Sequence, residues 1–322
     1  MTFDVRPYLK EIARGEHGAR DLSREQARTL FAAVFSGEVP DLPLGALLVA
    51  FRVKGETAEE LAGMVDALAP HVRPMQLPAR RPAVFIPSYN GARKLANLVP
   101  LLALLLAREG ISVVVHGTAQ EPTRVSTFEI LAELGAPAVA TIAEAEERLE
   151  RRDLAPVPVE VLSPDLGRVL AARLAIGVRN SGHTLAKLLL PNGVDAALAC
   201  RLIAVTHPEF LKLMREYFTA APANVFLMRG VEGEPIVRLH APQPIEEIRA
   251  EGQLVTHLIG EGEAGYLLPS RDAQSTAQWT RDVVQGKIAA PAALAREVAL
   301  IVEHCRRVAS AHRQPLKLVS SK

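Results

Sequence analysis

Apolar residues recur at helical spacing from the start of the chain to about residue 70. Four groups are present: Tyr8, Leu9 and Ile12; Ala27, Leu30, Phe31 and Val34; Leu44, Leu47, Leu48 and Phe51; and Leu61, Met64, Val65 and Leu68. Spacings of three and four residues place side chains on one helix face, so four helices are predicted. Ser23 with Gln26, and Thr57 with Glu60, have the spacing of capping boxes that open two of these helices.

After the proline-rich segment 71–82, short β-branched runs alternate with longer apolar runs. This alternation predicts a mainly parallel sheet with helical connections. The expected strands and helices are Ala83–Ile86, Ser112–Val115, Leu202–Val205 and Asn224–Met228, and Leu95–Arg108, Thr127–Leu134, Pro208–Phe218 and Pro291–Ala311. The sequence therefore predicts an α/β protein, with an N-terminal helical domain (1–75) and a larger α/β domain (76–322) built on a central mainly parallel sheet. Residues from about 165 to 190 are candidates for packing with the helical domain.

Composition and charge narrow the classes of protein that fit. Apolar residues make up 49% of the chain, which supports a folded core and argues against disorder. Lys and Arg number 37 against 36 Asp and Glu, so any anion site must come from local clustering. Cys200 and Cys305 are the only cysteines and are far apart, which excludes a disulfide framework.

The residues at the N-terminus and the length of the apolar runs indicate where in the cell the protein is expected. The N-terminus lacks the apolar stretch of a signal peptide. The longest apolar run, 98–107, is about half of the roughly 20 residues that a membrane span needs. We therefore expect a cytoplasmic protein without a membrane partner.

Loops at the carboxyl ends of parallel strands are where ligands bind in such sheets. The loop after the first strand contains Tyr89 and Asn90 but only one glycine, and residues with a Cβ keep a pyrophosphate away from backbone N–H groups. Arg93 and Lys94 can instead reach an extended phosphate backbone. The alternative is an ordinary loop with solvated charges.

Further candidates follow the second strand and lie in the donor-rich segment 177–191. The full set of candidate nucleic-acid or anion contacts is Tyr89, Asn90, Arg93, Lys94, His116, Arg124, Arg179, His183 and Lys187. Tyr89 is the only obvious stacking aromatic among them. The histidines have structural alternatives: His116 can anchor its loop by hydrogen bonding, and His183 can cap a helix.

Several fragments resemble one enzyme family in their order and spacing. They are His116-Gly117 after a strand, Leu131-Ala132-Glu133-Leu134-Gly135, Ile176-Gly177-Val178-Arg179 and Val205-Thr206-His207-Pro208-Glu209. The chain is thereby similar to anthranilate phosphoribosyltransferases over nearly its whole length. The resemblance implies their fold and a dimer formed through the N-terminal helices.

The chain departs from that family where the family does its chemistry. The family's Gly-Thr-Gly-Gly-Asp loop, which holds the pyrophosphate of the ribose donor, corresponds to 88–92 here, and its Lys-His-Gly-Asn-Arg to 115–119. Its magnesium-binding Asp-Glu pair corresponds to Pro235-Ile236, which offer no side-chain oxygen. We therefore expect no catalytic residue, no metal, no cofactor and no anthranilate phosphoribosyltransferase activity.

Residues 87–94 and His183-Thr184-Leu185 resemble instead the YbiB-type branch of this scaffold, which is regarded as nucleic-acid binding. The resemblance implies a non-catalytic homodimer that contacts the phosphates of DNA or RNA through a basic groove with little base specificity. Outward-facing members among Leu30, Val34, Leu44 and Leu48 are expected to form the dimer contact. The alternative is a pentosyltransferase with an altered substrate, keeping His116 and Arg179 for a smaller anionic ligand.

Overall fold

The computed structural model describes residues 3–15, 17–260 and 266–313. Its N-terminal part contains four helices, as the apolar pattern predicted: α1 (Arg6–Ile12), α2 (Arg24–Phe35), α3 (Asp41–Lys54) and α4 (Ala58–Leu68). A single 3-10 turn, Ala69–His71, follows. Both predicted capping boxes are present, because the hydroxyls of Ser23 and Thr57 accept hydrogen bonds from the backbone N–H groups of Gln26 and Glu60.

In the described part of the chain, seven strands form one sheet, which confirms the predicted mainly parallel architecture. The strands are β1 (Ala83–Ser88), β2 (Ser112–Gly117), β3 (Leu154–Pro158), β4 (Ala199–Val205), β5 (Val225–Arg229), β6 (Gln243–Ile248) and β7 (Leu254–Ile259). Their order in the sheet is β3-β2-β1-β4-β5-β6-β7. The strands β1 to β5 pair in parallel, whereas β6 and β7 are antiparallel to their neighbours.

Ten helices of the described chain follow or connect these strands. They are α5 (Val99–Arg108), α6 (Thr127–Glu133), α7 (Ile142–Arg152), α8 (Val159–Leu162), α9 (Pro164–Ala171), α10 (Arg173–Ile176), α11 (Ser181–Ala186), α12 (Pro208–Ala220), α13 (Ala273–Val284) and α14 (Ala292–Arg313). The helix expected from Leu95 begins instead at Val99, where the side chain of Asn97 accepts the Val99 N–H at 3.0 Å. Among the helices that the structure describes, none combines the length and the apolar character needed to cross a membrane.

Buried apolar side chains fill both faces of the sheet. Successive residues of β1 alternate between two clusters: Phe85 packs with the N-terminal helices, whereas Val84 and Ile86 pack with α5 and α14. The helix α9 also contacts α2, because Arg168 donates to the carbonyl oxygen of Val34 at 2.6 Å. The N-terminal helices therefore share one continuous core with one face of the sheet.

The strand order reverses between β1 and β4. The chain moves outward from β1 through β2 to β3 on one side, and from β4 through β5 on the other. In open parallel sheets, such a switch point leaves a crevice at the carboxyl ends of the two strands, where ligands bind. The loops after β1 and β4 are therefore the first place to look for a functional site.

Candidate nucleic-acid interface

The loop after β1 presents two cations to solvent. Gly91, with φ of +67°, and an isolated bridge between Ala92 and Val125 hold the loop against the segment that follows β2. Arg93 and Lys94 then lie on the exposed side of the loop. Neither side chain forms an ion pair with a carboxylate of the described residues. Both predicted phosphate contacts are thus accessible.

A second group of cations lies deeper at the same edge. Arg179 is half-buried and donates to the carbonyl oxygen of Tyr89 at 3.4 Å. Burial lowers the pKa of Arg179, and the nearby charges of Arg124 and Arg173 lower it further. Arg173 is compensated by an ion pair with Glu121. The charges of Arg124 and Arg179 therefore act on one another across this edge.

Lys187 sits at the bottom of this edge. Its ammonium donates to the carbonyl oxygen of Ala204, near the end of β4, and burial lowers its pKa to about 8. Together with Arg52, Arg179 and His183 it lines a cleft of about 120 Å³. Lys187 is half-buried, so its charge contributes to the electrostatic potential of the cleft more than to direct surface contact.

Tyr89 and His116 form a buried pair. The Tyr89 hydroxyl lies 2.9 Å from Nδ1 of His116, and the ring centroids are 5.7 Å apart in an edge-to-face arrangement. Tyr89 is 3% exposed and His116 is fully buried, and burial lowers the pKa of His116 to about 3. The structure therefore places the expected stacking aromatic and this histidine inside the protein, where they anchor the loops.

Asn90 and His183 also have structural contacts. The Asn90 side chain donates to the carbonyl oxygen of Gly233 at 2.8 Å. Nδ1 of His183 accepts the N–H of Asn180 at 3.3 Å, which completes the capping box of α11. Burial lowers the pKa of His183 to about 3, so the ring is neutral near pH 7. Of the nine candidates, the structure brings Arg93, Lys94, Arg124, Arg179 and Lys187 to the carboxyl edge as solvent-reaching or half-buried cations.

Two carboxylates that the sequence analysis did not single out occupy the loop after β1. Oε1 of Glu234 accepts the N–H groups of Asn90 and Gly91 at 2.7 and 2.8 Å. The carboxylate of Glu232 accepts the N–H groups of Arg93 and Lys94, at 2.8 and 3.0 Å in the shortest contacts. Their signal in the sequence was a pair of acids flanking Gly233, next to the positions compared with the family's metal pair.

The site does not fit the magnesium ion and ribose donor that the family resemblance implies. Pro235 and Ile236 are buried and carry no side-chain oxygen, and magnesium requires oxygen ligands. The backbone N–H groups that would face a pyrophosphate are already bonded to Glu232 and Glu234. Within the described part of the chain, no group of three or more His, Cys, Asp or Glu side chains could hold a metal ion.

Comparisons with known proteins place this architecture. A model of the glycosyl transferase family helical bundle domain matches residues 6–71. The crystal structure of anthranilate phosphoribosyltransferase (TrpD) from Thermus thermophilus is similar with a TM-score of 0.70 at 26% identity, covering 94% of this chain and 89% of that one. The enzyme from Saccharomyces cerevisiae in complex with PRPP and Mg has a TM-score of 0.73 at 14% identity, covering 95% and 89%, which shows the fold alone.

Sequence relatives agree with the structural neighbours. The anthranilate phosphoribosyltransferase of Thermus thermophilus is 30% identical over 217 residues, covering 67% of this chain and 64% of that protein. The uncharacterized protein YbiB of Escherichia coli (strain K12) is 41% identical over 298 residues, covering 92% of each chain. The fold thus defines an α/β protein of phosphoribosyltransferase type. The chain belongs to the anthranilate phosphoribosyltransferase-like family, together with YbiB.

Proposed function

We propose that this protein is a non-catalytic homodimer that binds nucleic acid by its phosphates. The observation that carries the proposal is the exposure of Arg93 and Lys94 on a loop whose backbone N–H groups are already occupied. The basic groove, defined as Arg93, Lys94, Arg124, Arg179 and Lys187, lies at the ligand-binding edge of the sheet. Cationic side chains at such an edge suit a polyanion that passes across the surface.

The same arrangement supports binding with little sequence preference. Contacts from Arg and Lys to phosphates set the position of a protein on nucleic acid but do not read its bases. Base stacking needs an accessible aromatic ring, and Tyr89 is buried against His116. Affinity should therefore depend on salt far more than on sequence.

The homodimer is supported by a stripe on α3. The four residues expected to supply an outward-facing contact, Leu30, Val34, Leu44 and Leu48, are all at most 5% exposed within the chain, so none of them faces outward. The exposed apolar positions of α3 are instead Leu42, Ala46, Val49 and Val53, with Leu42 at 86% and Val53 at 81% exposure. Their spacing of four, three and four residues forms one apolar seam.

A second exposed apolar pair extends this seam toward the basic groove. Leu174 and Val178 are exposed, and Ile176 between them packs beside Gly45 of α3. Exposed apolar surface of this kind marks protein interaction sites, and two-fold pairing is the commonest symmetry of oligomers. A dimer through this face would place two copies of Arg179, one residue beyond Val178, near one another and let a long polyanion gain from both.

The pentosyltransferase alternative fares less well against the geometry. The cleft beside Arg179 and Lys187 has about 120 Å³, whereas ligand pockets usually offer roughly 300 Å³ or more. A larger cavity of about 490 Å³ lies beside the loop after β1, but its walls are mainly apolar and include the carboxylates of Glu232 and Glu234, which do not suit an anionic substrate. The N–H groups that could stabilise a leaving pyrophosphate are bonded to carboxylates. We therefore favour binding over group transfer.

A pair of charge-reversed variants tests the proposal. The Arg93→Glu/Lys94→Glu variant should bind both single-stranded and duplex DNA of random sequence far more weakly, because two phosphate contacts become repulsive. The control is Arg80→Glu/Arg151→Glu, which makes the same change in net charge at exposed positions before β1 and β3. Those positions lie at the opposite edge of the sheet, since β1 and β3 run parallel.

Fluorescence anisotropy at one salt concentration gives the comparison. We expect the first variant to lose about tenfold or more in affinity, which is roughly 1.4 kcal/mol or more, and the control to stay within about twofold of the parent. Equal losses in the two variants would mean that only net charge matters. Unchanged binding by a folded, dimeric Arg93→Glu/Lys94→Glu variant would refute the groove assignment.

A further inference from the structure

The loop after β1 binds two anions of the protein itself. Five of the six backbone N–H groups from Asn90 to Leu95 donate to carboxylate oxygens of Glu232 and Glu234, at N···O distances between 2.7 and 3.4 Å. The sixth, that of Ala92, donates to the carbonyl oxygen of Val125. Successive backbone N–H groups that converge in this way form an anion-binding concavity. The loop thus has the donors of a phosphate site although it lacks the glycines that usually mark one.

The turn after β5 is shaped to deliver these carboxylates. Glu232 adopts φ of +54°, a left-handed conformation that is uncommon for a residue with a side chain and costs of order 1–3 kcal/mol. Gly233, at φ of +90°, lies so close to Asn90 that an added Cβ would sit 2.6 Å from its Nδ2. The strained turn persists because its two acids are held by the loop.

The two acids lie among hydrogen-bond donors and cations that suit an anion. Although burial alone raises it, hydrogen bonds from Arg93, Lys94 and Leu95 bring the pKa of Glu232 below its ordinary value. Glu234 is 3% exposed, and its second oxygen, Oε2, has no hydrogen-bond partner among the described residues. Its negative charge opposes the fall in the pKa of Arg179 and of Lys187 that burial causes. Glu234 thus lies where an anionic ligand would meet both N–H groups and cations.

We propose that Glu232 and Glu234 are internal ligands of an anion-binding loop and prevent free phosphate compounds such as pyrophosphate from binding there. A carboxylate and a phosphate oxygen compete for the same N–H donors, so phosphate cannot bind the loop while the carboxylates accept its hydrogen bonds. The acids also hold the loop in the form that exposes Arg93 and Lys94. The inference concerns small anions and stands whether or not the protein binds nucleic acid.

Two double variants that remove the same charge distinguish the two ways in which the acids could oppose pyrophosphate, by occupying the N–H groups or by electrostatic repulsion. In Glu232→Ala/Glu234→Ala the N–H groups lose their acceptors, whereas in Glu232→Gln/Glu234→Gln an amide oxygen remains to accept them. Titration calorimetry with inorganic pyrophosphate, without magnesium, measures the result. The Ala variant should bind pyrophosphate at least about tenfold more tightly than the parent, and the Gln variant should stay close to the parent.

The other outcomes overturn the proposal. Equal gains in the Ala and Gln variants would assign the effect to lost negative charge alone. Absence of a gain in a folded Ala variant would show that the loop is no anion site. If the double Ala variant does not fold, Glu232→Ala against Glu232→Gln gives the same comparison, because Ala and Gln meet the same backbone strain at this position.

Discussion

Glu297 on α14 binds the backbone just beyond the turn after β5, and its burial predicts how the free energy of unfolding depends on pH. Its carboxyl group is fully buried; Oε2 accepts the N–H of Val237 at 3.1 Å, and Oε1 has no hydrogen-bond partner among the described residues. Burial raises the pKa of Glu297 from 4.5 to about 8, against the opposing effect of the Val237 hydrogen bond. We predict that Glu297→Gln stabilises the protein increasingly as the pH rises.

The sign and size follow from proton linkage. Between pH 4.5 and about 8 the folded protein keeps the Glu297 proton while the unfolded chain loses it, so the contribution of this group to stability is complete below pH 4.5 and is lost toward pH 8. One pKa unit corresponds to about 1.4 kcal/mol. Glutamine carries no titrating proton and can still accept the Val237 N–H. The advantage of the variant should therefore grow by roughly 3–5 kcal/mol between about pH 5 and pH 8.

Urea denaturation followed by the fluorescence of Trp279, the single tryptophan, measures this difference at several pH values. Glu303→Gln is the control, because Glu303 is an exposed acid on the same helix. It should show no comparable trend with pH. A difference between the parent and Glu297→Gln that stays constant from about pH 5 to pH 8 would refute the reasoning.

Two further predictions address the proposed assembly and the buried histidines. The Leu42→Glu/Val53→Glu variant should be a monomer by light scattering at micromolar concentration, because it places charges on the exposed α3 seam. The control Leu258→Glu, at an exposed position of β7, should remain a dimer. A dimeric Leu42→Glu/Val53→Glu variant would exclude this interface. Because burial lowers the pKa of His116 and His183 to about 3, neither gains charge between about pH 5.5 and 7.5. His183→Gln should therefore leave the pH dependence of nucleic-acid affinity unchanged, and a flattened profile would assign His183 to the contact.

The sequence predicted the elements whose local signals agree with their packing. The capping residues Ser23 and Thr57 open α2 and α4, and the β-branched runs at β1 and β2 form central strands. The strand β3 escaped prediction because Pro156 and Pro158 interrupt it, which an edge strand tolerates. Strands β6 and β7 mix polar and apolar residues, and only the pairing of β6 with β5 and of β7 with β6 identifies them.

The site was predictable in its charges but not in its burial. Arg93 and Lys94 follow a strand, and their exposure agrees with what the loop position suggested. The burial of Tyr89 depends on His116, 27 residues later, and the occupied N–H groups depend on Glu232 and Glu234, more than 130 residues away. The burial of Leu30, Val34, Leu44 and Leu48 likewise reflects packing between helices, which periodicity within one helix does not specify.

The salt dependence of nucleic-acid binding tests the central claim most directly. Affinity for random single-stranded and duplex DNA is measured without magnesium over a range of salt concentrations, for the parent and for Arg93→Glu/Lys94→Glu. For the parent, the logarithm of the binding constant should fall linearly with the logarithm of the salt concentration. The variant should lose roughly 1.4 to 1.8 from the size of that slope, about 0.7 per contact for single strands and 0.9 for duplex. Absence of binding, or a slope that is shallow in the parent and unchanged in the variant, would contradict phosphate recognition through this groove.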